Sequence, residues 1–114
     1  MTIISALAIA LCPAPPSERF TCVHDGDTFW LEGEKIRIAD IDTPELNGRC
    51  ERERRVARAA RERLVVLINE RGMRLERVGT DRYGRTLARI GTISDVLIAE
   101  GLARQWGDRR GWCG

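Results

Sequence analysis

Asp27, in His24-Asp25-Gly26-Asp27-Thr28, and Asp42, in Asp40-Ile41-Asp42-Thr43-Pro44-Glu45, are carboxylates that pairing of the flanking strands would bring together. Two carboxylates, a backbone carbonyl and waters form an all-oxygen set that suits Ca²⁺, a hard cation taking roughly six to eight oxygens. Glu45 follows Asp42 on the same bend, placed to take a proton from a water beside the metal. Arg37 precedes Asp42 on the incoming strand, and Arg85 ends the segment Thr80-Asp81-Arg82-Tyr83-Gly84-Arg85. A phosphodiester transition state gathers negative charge on its oxygens and needs fixed positive charge opposite it. Two guanidinium forks beside a metal would supply that charge and orient the phosphate. The set describes metal-assisted hydrolysis without a covalent nucleophile. Taken singly, each residue has a plainer reading: Asp-Gly-Asp as a turn, Thr-Pro-Glu as a turn or helix start, an arginine on a strand as a solvated charge. Only the joint pattern carries chemistry.

These residues need strands to position them. Phe20–Val23 and Thr28–Leu31 are rich in β-branched and aromatic residues, with His24–Asp27 between them as a turn or bulge. Glu32-Gly33-Glu34 is a tight hairpin connection to Lys35–Ile41, where Ile36 and Ile38 face one way and Arg37 the other. Thr43-Pro44 stops that strand, and Leu46–Cys50 is a loop. Glu51–Glu70 is a long helix with Val56, Ala60, Leu64 and Leu67 on its apolar stripe. Arg52, Arg55, Arg58 and Arg63 read as a solvated face with local Glu–Arg pairing, nucleic-acid contact being the minor alternative. Gly72 ends the helix. Met73–Val78 and Thr86–Ile90 are two further strands joined by the Thr80–Arg85 turn. Asp95 caps a short helix, Val96–Glu100, and Leu102–Trp106 is a last extended piece. Five strands with a helix between the third and fourth predict an α+β, mainly β, five-stranded OB-fold barrel with one long helix and a short second one.

The 114 residues make one domain with net charge +2. Lys35 is the sole lysine among nineteen basic residues, which fits either phosphate binding or Arg-favouring codon usage. Met1–Leu11 is apolar, and Ala8 and Ala10 form the A-x-A pattern of an export leader; a buried first strand is the other reading. Cys12–Ser17 is Pro-rich and separates a leader and linker, 1–17, from a domain at 18–114. Cys12, Cys22, Cys50 and Cys113 contain no C-x-x-C pair, which disfavours zinc. Disulfides would fit a secreted or periplasmic protein, with three connectivities open; reduced thiols in a cytoplasmic protein are the alternative.

The joint pattern resembles the staphylococcal nuclease (thermonuclease) family. The matching segments are Asp25–Thr28 (DGDT), Ile36–Glu45 (IRIADIDTPE) and Thr80–Arg85 (TDRYGR), with a weaker match at Val96–Trp106. The resemblance implies Asp27 and Asp42 as calcium carboxylates, Thr43 as backbone-carbonyl ligand, Glu45 as general base, Arg37 and Arg85 as the phosphate-binding pair, and Tyr83 beside the nucleotide. It implies water attack on DNA or RNA, leaving 3′-phosphate and 5′-hydroxyl ends; a monomer with no stable protein partner is the separate expectation. No counterpart of the family's third helix is expected in the short stretch Gly107–Gly114. Trp106 and Trp112 are candidates for stacking on a base or for packing, and His24 reads as structural. The rival reading is a non-catalytic OB module that binds nucleic acid or protein.

Overall fold

Alternation governs the strands nearest the site. In the computed structural model, which describes residues 2–4, 9–15 and 17–114, Phe29 and Leu31 are buried while Trp30 between them is half-buried. Ile36 and Ile38 are fully buried, and Arg37 between them points to the other face of its strand.

Among the described residues there are eight strands and two helices: β1 (Thr2–Ile4), β2 (Cys22–Asp25), β3 (Thr28–Leu31), β4 (Glu34–Ile38), β5 (Ile41–Asp42), α1 (Glu51–Arg71), β6 (Met73–Thr80), β7 (Thr86–Arg89), α2 (Ile93–Ala99) and β8 (Arg104–Gln105). The main sheet has the order β1-β6-β7-β4-β3-β2, and β5 and β8 form a separate antiparallel pair. Within the main sheet β4 and β7 run parallel and the other pairs are antiparallel. Helix α1 lies against the sheet with Ala57, Ala60, Leu64, Leu67 and Ile68 buried. Leu64, Leu67 and Ile68 make one core with Phe29, Ile38, Ile41, Leu75, Ile90 and Leu97.

The α+β, mainly β, OB-fold-like architecture is as expected from the sequence, with one long and one short helix. The OB-type barrel has six strands in its main sheet where five are expected, and that sheet is an open ladder. Its edges are β1 and β2, and the N-terminal stretch touches both: β1 pairs with β6, while Val23 N–H donates to Ala10 O and Cys12 N–H to Val23 O. Ala8 lies outside the described residues.

The expected strand Lys35–Ile41 is broken. It bends at Ala39-Asp40 because Asp40 is drawn to other partners: its side chain accepts from Ser94 Oγ and its carbonyl from Trp106 N–H. Ile41 and Asp42 then leave the main sheet for β8. The first expected strand is shifted towards the C-terminus, leaving Phe20 61% exposed. Helix α2 begins earlier than expected, so Thr92 takes the N-cap position and Asp95 lies in the first turn, where a carboxylate suits the helix dipole. Val56 is only half-buried, and Ala57 and Ile68 complete the buried face of α1.

Disulfides Cys12–Cys22 and Cys50–Cys113 select one of the three connectivities, and the second ties the tail to the start of α1. No helix among the described residues is long and apolar enough to cross a membrane.

Candidate active site

Asp27 is set by the connection between β2 and β3. The register shifts between Val23 and Asp25, a bulge that turns the end of β2. Gly26 then packs where a side chain cannot: a Cβ there would lie 2.7 Å from Thr43 Cγ2 and 2.8 Å from Ala60 Cβ. This close approach presses the turn against the Thr43 segment and α1. The Asp27 carboxylate is buried and accepts from Thr43 N–H through Oδ2 (3.1 Å) and from Thr28 Oγ1 through Oδ1 (3.2 Å). Thr43 Oγ1 is buried without a hydrogen-bond partner among the described residues.

Asp42 arrives from β5. Arg37 Nη2 lies 2.7 Å from Asp42 Oδ1 and 3.5 Å from Asp27 Oδ2, so the two carboxylates converge on one nitrogen. Arg37 Nη1 donates to Ile41 O at 2.8 Å and also to Ile38 O. The guanidinium thus staples the bend between β4 and β5 as well as the acids. Gly107 N–H, on the tail, reaches the second oxygen of Asp42 at 3.4 Å.

Arg85 is held by Asp81, four residues earlier: Arg85 Nε donates to Asp81 Oδ2 at 2.7 Å, and the N–H groups of Tyr83 and Arg85 donate to Asp81 Oδ1. Tyr83 is 70% exposed, with the Arg85 guanidinium 5.8 Å from its ring centre.

Asp27, Arg37, Asp42, Glu45 and Arg85 line one open cavity of about 350 Å³. Arg37 and Arg85 also line a neighbouring cavity of about 460 Å³, whose other walls include Tyr83, Leu87 and Trp106. A charged chamber therefore adjoins an aromatic one, with the two arginines between them. Thr43 lines neither; it lies behind Asp27.

The acids in the chamber crowd one another. Burial, then the charge of Asp27 and a hydrogen bond to it, push the Asp25 carboxyl up to about 8. Burial, then Asp27 and Glu53, raise Glu45 above its ordinary value, with Arg37 opposing. His24 is lowered by burial, then by Arg19, whose Nη1 lies 3.2 Å from His24 Nδ1. Among the described residues no group of three acidic, histidine or cysteine side chains has the spacing of a ready-made metal cage. The donor set still fits a hard divalent cation: Asp27 and Asp42 offer oxygens on one chamber, and its open volume leaves room for the waters that complete such a shell.

Three contributors escape the motif reading. Asp25 crowds Asp27 and is visible only as the first residue of Asp-Gly-Asp. Asp81 fixes Arg85, and its signal is an aspartate opening a turn that ends in arginine. Glu53 is 5% exposed and accepts from the Glu45 and Arg49 N–H groups at 3.3 and 3.1 Å. Its place three residues after Cys50, at the start of a helix, is the one hint. The solvated reading of the α1 arginines holds in part: Arg54 and Arg58 pair with Glu51, while Arg63 makes a two-pronged pair with Glu100 beyond α2.

Residues 35–110 match the family model described as staphylococcal nuclease homologue. That span includes Arg37, Asp42, Thr43, Glu45, Tyr83 and Arg85 and leaves Asp27 outside. The chain is also 32% identical over 110 residues to a Haemophilus influenzae protein named as an uncharacterized endonuclease, covering 85% of this chain and 58% of that protein. The chain thus spans less than two thirds of that relative's length.

Proposed function

Because the chain belongs to the staphylococcal nuclease family, we propose that it is a Ca²⁺-dependent phosphodiesterase that hydrolyses DNA and RNA by attack of water, leaving 3′-phosphate and 5′-hydroxyl ends. The observation that carries this reading is the convergence of Asp27 and Asp42 on Arg37, in a chamber that Glu45 and Arg85 also line.

Asp27 and Asp42, which line the chamber, would hold the cation, which when bound supplies positive charge beside the phosphate. Thr43, bonded to Asp27 through its N–H, would serve as a carbonyl ligand only if its backbone turned towards the chamber. Arg37 and Arg85, on the boundary between the two cavities, bind the phosphate oxygens and stabilise the charge that builds on them. Glu45, which burial and the neighbouring Asp27 and Glu53 carboxylates make more basic than an ordinary glutamate, takes a proton from the attacking water. Tyr83, beside Arg85, flanks the nucleotide, and the aromatic cavity it shares with Trp106 gives a base a surface to stack on.

The relative's name supports nucleolytic chemistry, and its greater length makes the whole protein's substrates a matter for experiment. The assay is incubation of end-labelled single-stranded DNA and RNA with purified protein and Ca²⁺, with and without a chelator. Cleavage abolished by the chelator supports the reading. Salt-sensitive binding without cleavage over hours replaces it with the non-catalytic module.

We extend the proposal to a monomer exported to the periplasm or medium, with 1–17 as leader and linker and 18–114 as the nuclease-like domain. The two disulfides support an oxidising compartment. Ile9, inside that leader, packs in the core, with its backbone N–H and C=O bonded to the Asn69 side chain. Intact mass of the exported protein decides whether a cut after Ala10 removes it.

A further inference from the structure

Glu53 is a buried carboxylate without an ion-pair partner among the described residues. An ionised group in such a place is costly unless its oxygens are well satisfied. Here each oxygen has a separate backbone donor: Oε2 accepts from Glu45 N–H at 3.3 Å and Oε1 from Arg49 N–H at 3.1 Å. One side chain therefore grips both ends of the 45–49 loop.

The surroundings are shaped to that grip. A Cβ at Gly48 would lie 2.5–2.8 Å from Cγ, Cδ and Cβ of Glu53, so only glycine lets the loop close over the side chain. From the helix side, Glu53 N–H donates to Cys50 Sγ at 3.4 Å, and Cys113 Sγ lies 3.6 Å from Oε1. The Cys50–Cys113 bridge thus covers the carboxylate. Arg54 Nη1 is turned instead to Gly48 O at 2.9 Å. In the usual capping box, an acid at this helix position reaches back to the N-cap N–H. Glu53 bonds beyond that point, to the loop that carries Glu45.

We propose that Glu53 is a positioning residue: it fixes the backbone of Glu45 so that the Glu45 carboxyl faces the scissile phosphate. The inference rests on the nuclease reading for its catalytic consequence and on the loop hydrogen bonds for its structural one. Glutamine cannot replace it. Both oxygens of Glu53 accept, and an amide would turn an NH₂ donor towards one of the two N–H groups.

The test is Glu53→Gln, read in three ways. The kcat on single-stranded DNA should fall about ten- to hundredfold, the cost of misplacing a reacting group by about an ångström. KM, and Ca²⁺ binding measured calorimetrically without substrate, should stay as in the unmodified protein, because Asp27, Arg37 and Asp42 lie outside this network. Hydrogen exchange of the Glu45 and Arg49 amides should speed up. Gly48→Ala pushes a methyl group into the Glu53 side chain from the loop side. It should give the same signature, and it serves if Glu53→Gln does not fold. An unchanged kcat, or amides exchanging no faster, overturns the proposal. If the unmodified protein cuts nothing, the nuclease reading fails, while the exchange rates still decide whether Glu53 holds the loop.

Discussion

Asp27, on the turn after β2, and Asp42, on β5, meet at a single nitrogen of Arg37, 3.5 Å and 2.7 Å away. Two acids this close repel unless a cation lies between them. The guanidinium fills that role here, and its own position depends on the carbonyls of Ile38 and Ile41. The two acids proposed to hold the metal and the arginine proposed to bind phosphate are thus one hydrogen-bonded network.

Arg85→Ala should lower kcat about 10²–10³-fold, the usual effect of removing one donor to a developing oxyanion. Its side chain is 27% exposed and its ion-pair partner is Asp81, so the melting temperature should move by no more than a few degrees. Arg37→Ala should cost as much rate and also about 1–3 kcal/mol of stability, since it strips a partner from the buried Asp27 carboxylate. Steady-state kinetics and thermal melts separate the two; rates within twofold of the unmodified protein would remove both arginines from the mechanism.

Asp81→Ala should free the Arg85 side chain and open the turn that carries Tyr83, because Oδ1 and Oδ2 of Asp81 hold all three groups. We expect about a tenfold loss of kcat/KM, as a correctly oriented fork becomes a mobile charge. Ca²⁺ affinity should not change. A variant with weakened metal binding would show instead that Asp81 belongs to the metal site.

Gly26→Ala forces a methyl group to within 2.7 Å of Thr43 Cγ2 and 2.8 Å of Ala60 Cβ. Overpacking of this kind typically costs about 1–3 kcal/mol. The strain falls between Asp25 and Asp27, so activity should drop together with stability. A denaturant midpoint equal to that of the unmodified protein would contradict the close packing of this turn.

Glu34 sets a pH dependence. Its hydrogen bond from Arg77, assisted by Thr86, holds its carboxyl below the ordinary value. A depressed folded value means that the ionised form stabilises the fold. The contribution is complete above the unfolded value, about 4.3, and is lost as pH falls through the folded one. Glu34→Gln should therefore cost about 0.2–1 kcal/mol near pH 7, the range of exposed pairs. The difference in melting temperature should vanish in acid, and one that grew as pH fell would have the wrong sign.

Replacing both Cys50 and Cys113 by serine removes a link across a sequence separation of 63. The chain-entropy model gives about 4 kcal/mol for a loop of that size. Guanidinium unfolding checks the figure. Because the bridge covers Glu53, activity should also fall in the fraction that remains folded. Full activity there would mean that Glu53 keeps its grip without the bridge.

Much of this was legible in the chain. The alternation of Ile36, Arg37 and Ile38 determined which of them faces the core. Gly72, at positive φ, marks the end of α1 because that backbone conformation suits a residue without a side chain. The Asp25–Thr28, Ile36–Glu45 and Thr80–Arg85 segments contain Asp27, Arg37, Asp42, Glu45 and Arg85, which the fold brings to one chamber, since local motifs carry the turns that present these side chains.

Other features only the tertiary structure decided. Four cysteines allow three pairings, and the choice depends on which chain segments meet. Glu53 stands in a charge-rich helix start that reads as solvated; it is buried because the 45–49 loop and the tail close over it. Asp40 ends β4 through partners on α2 and beside β8, remote in sequence. Local periodicity records which face of an element is apolar. Which distant groups complete a buried acid or break a strand is set by packing, where an unsatisfied hydrogen bond costs more than a local propensity can return.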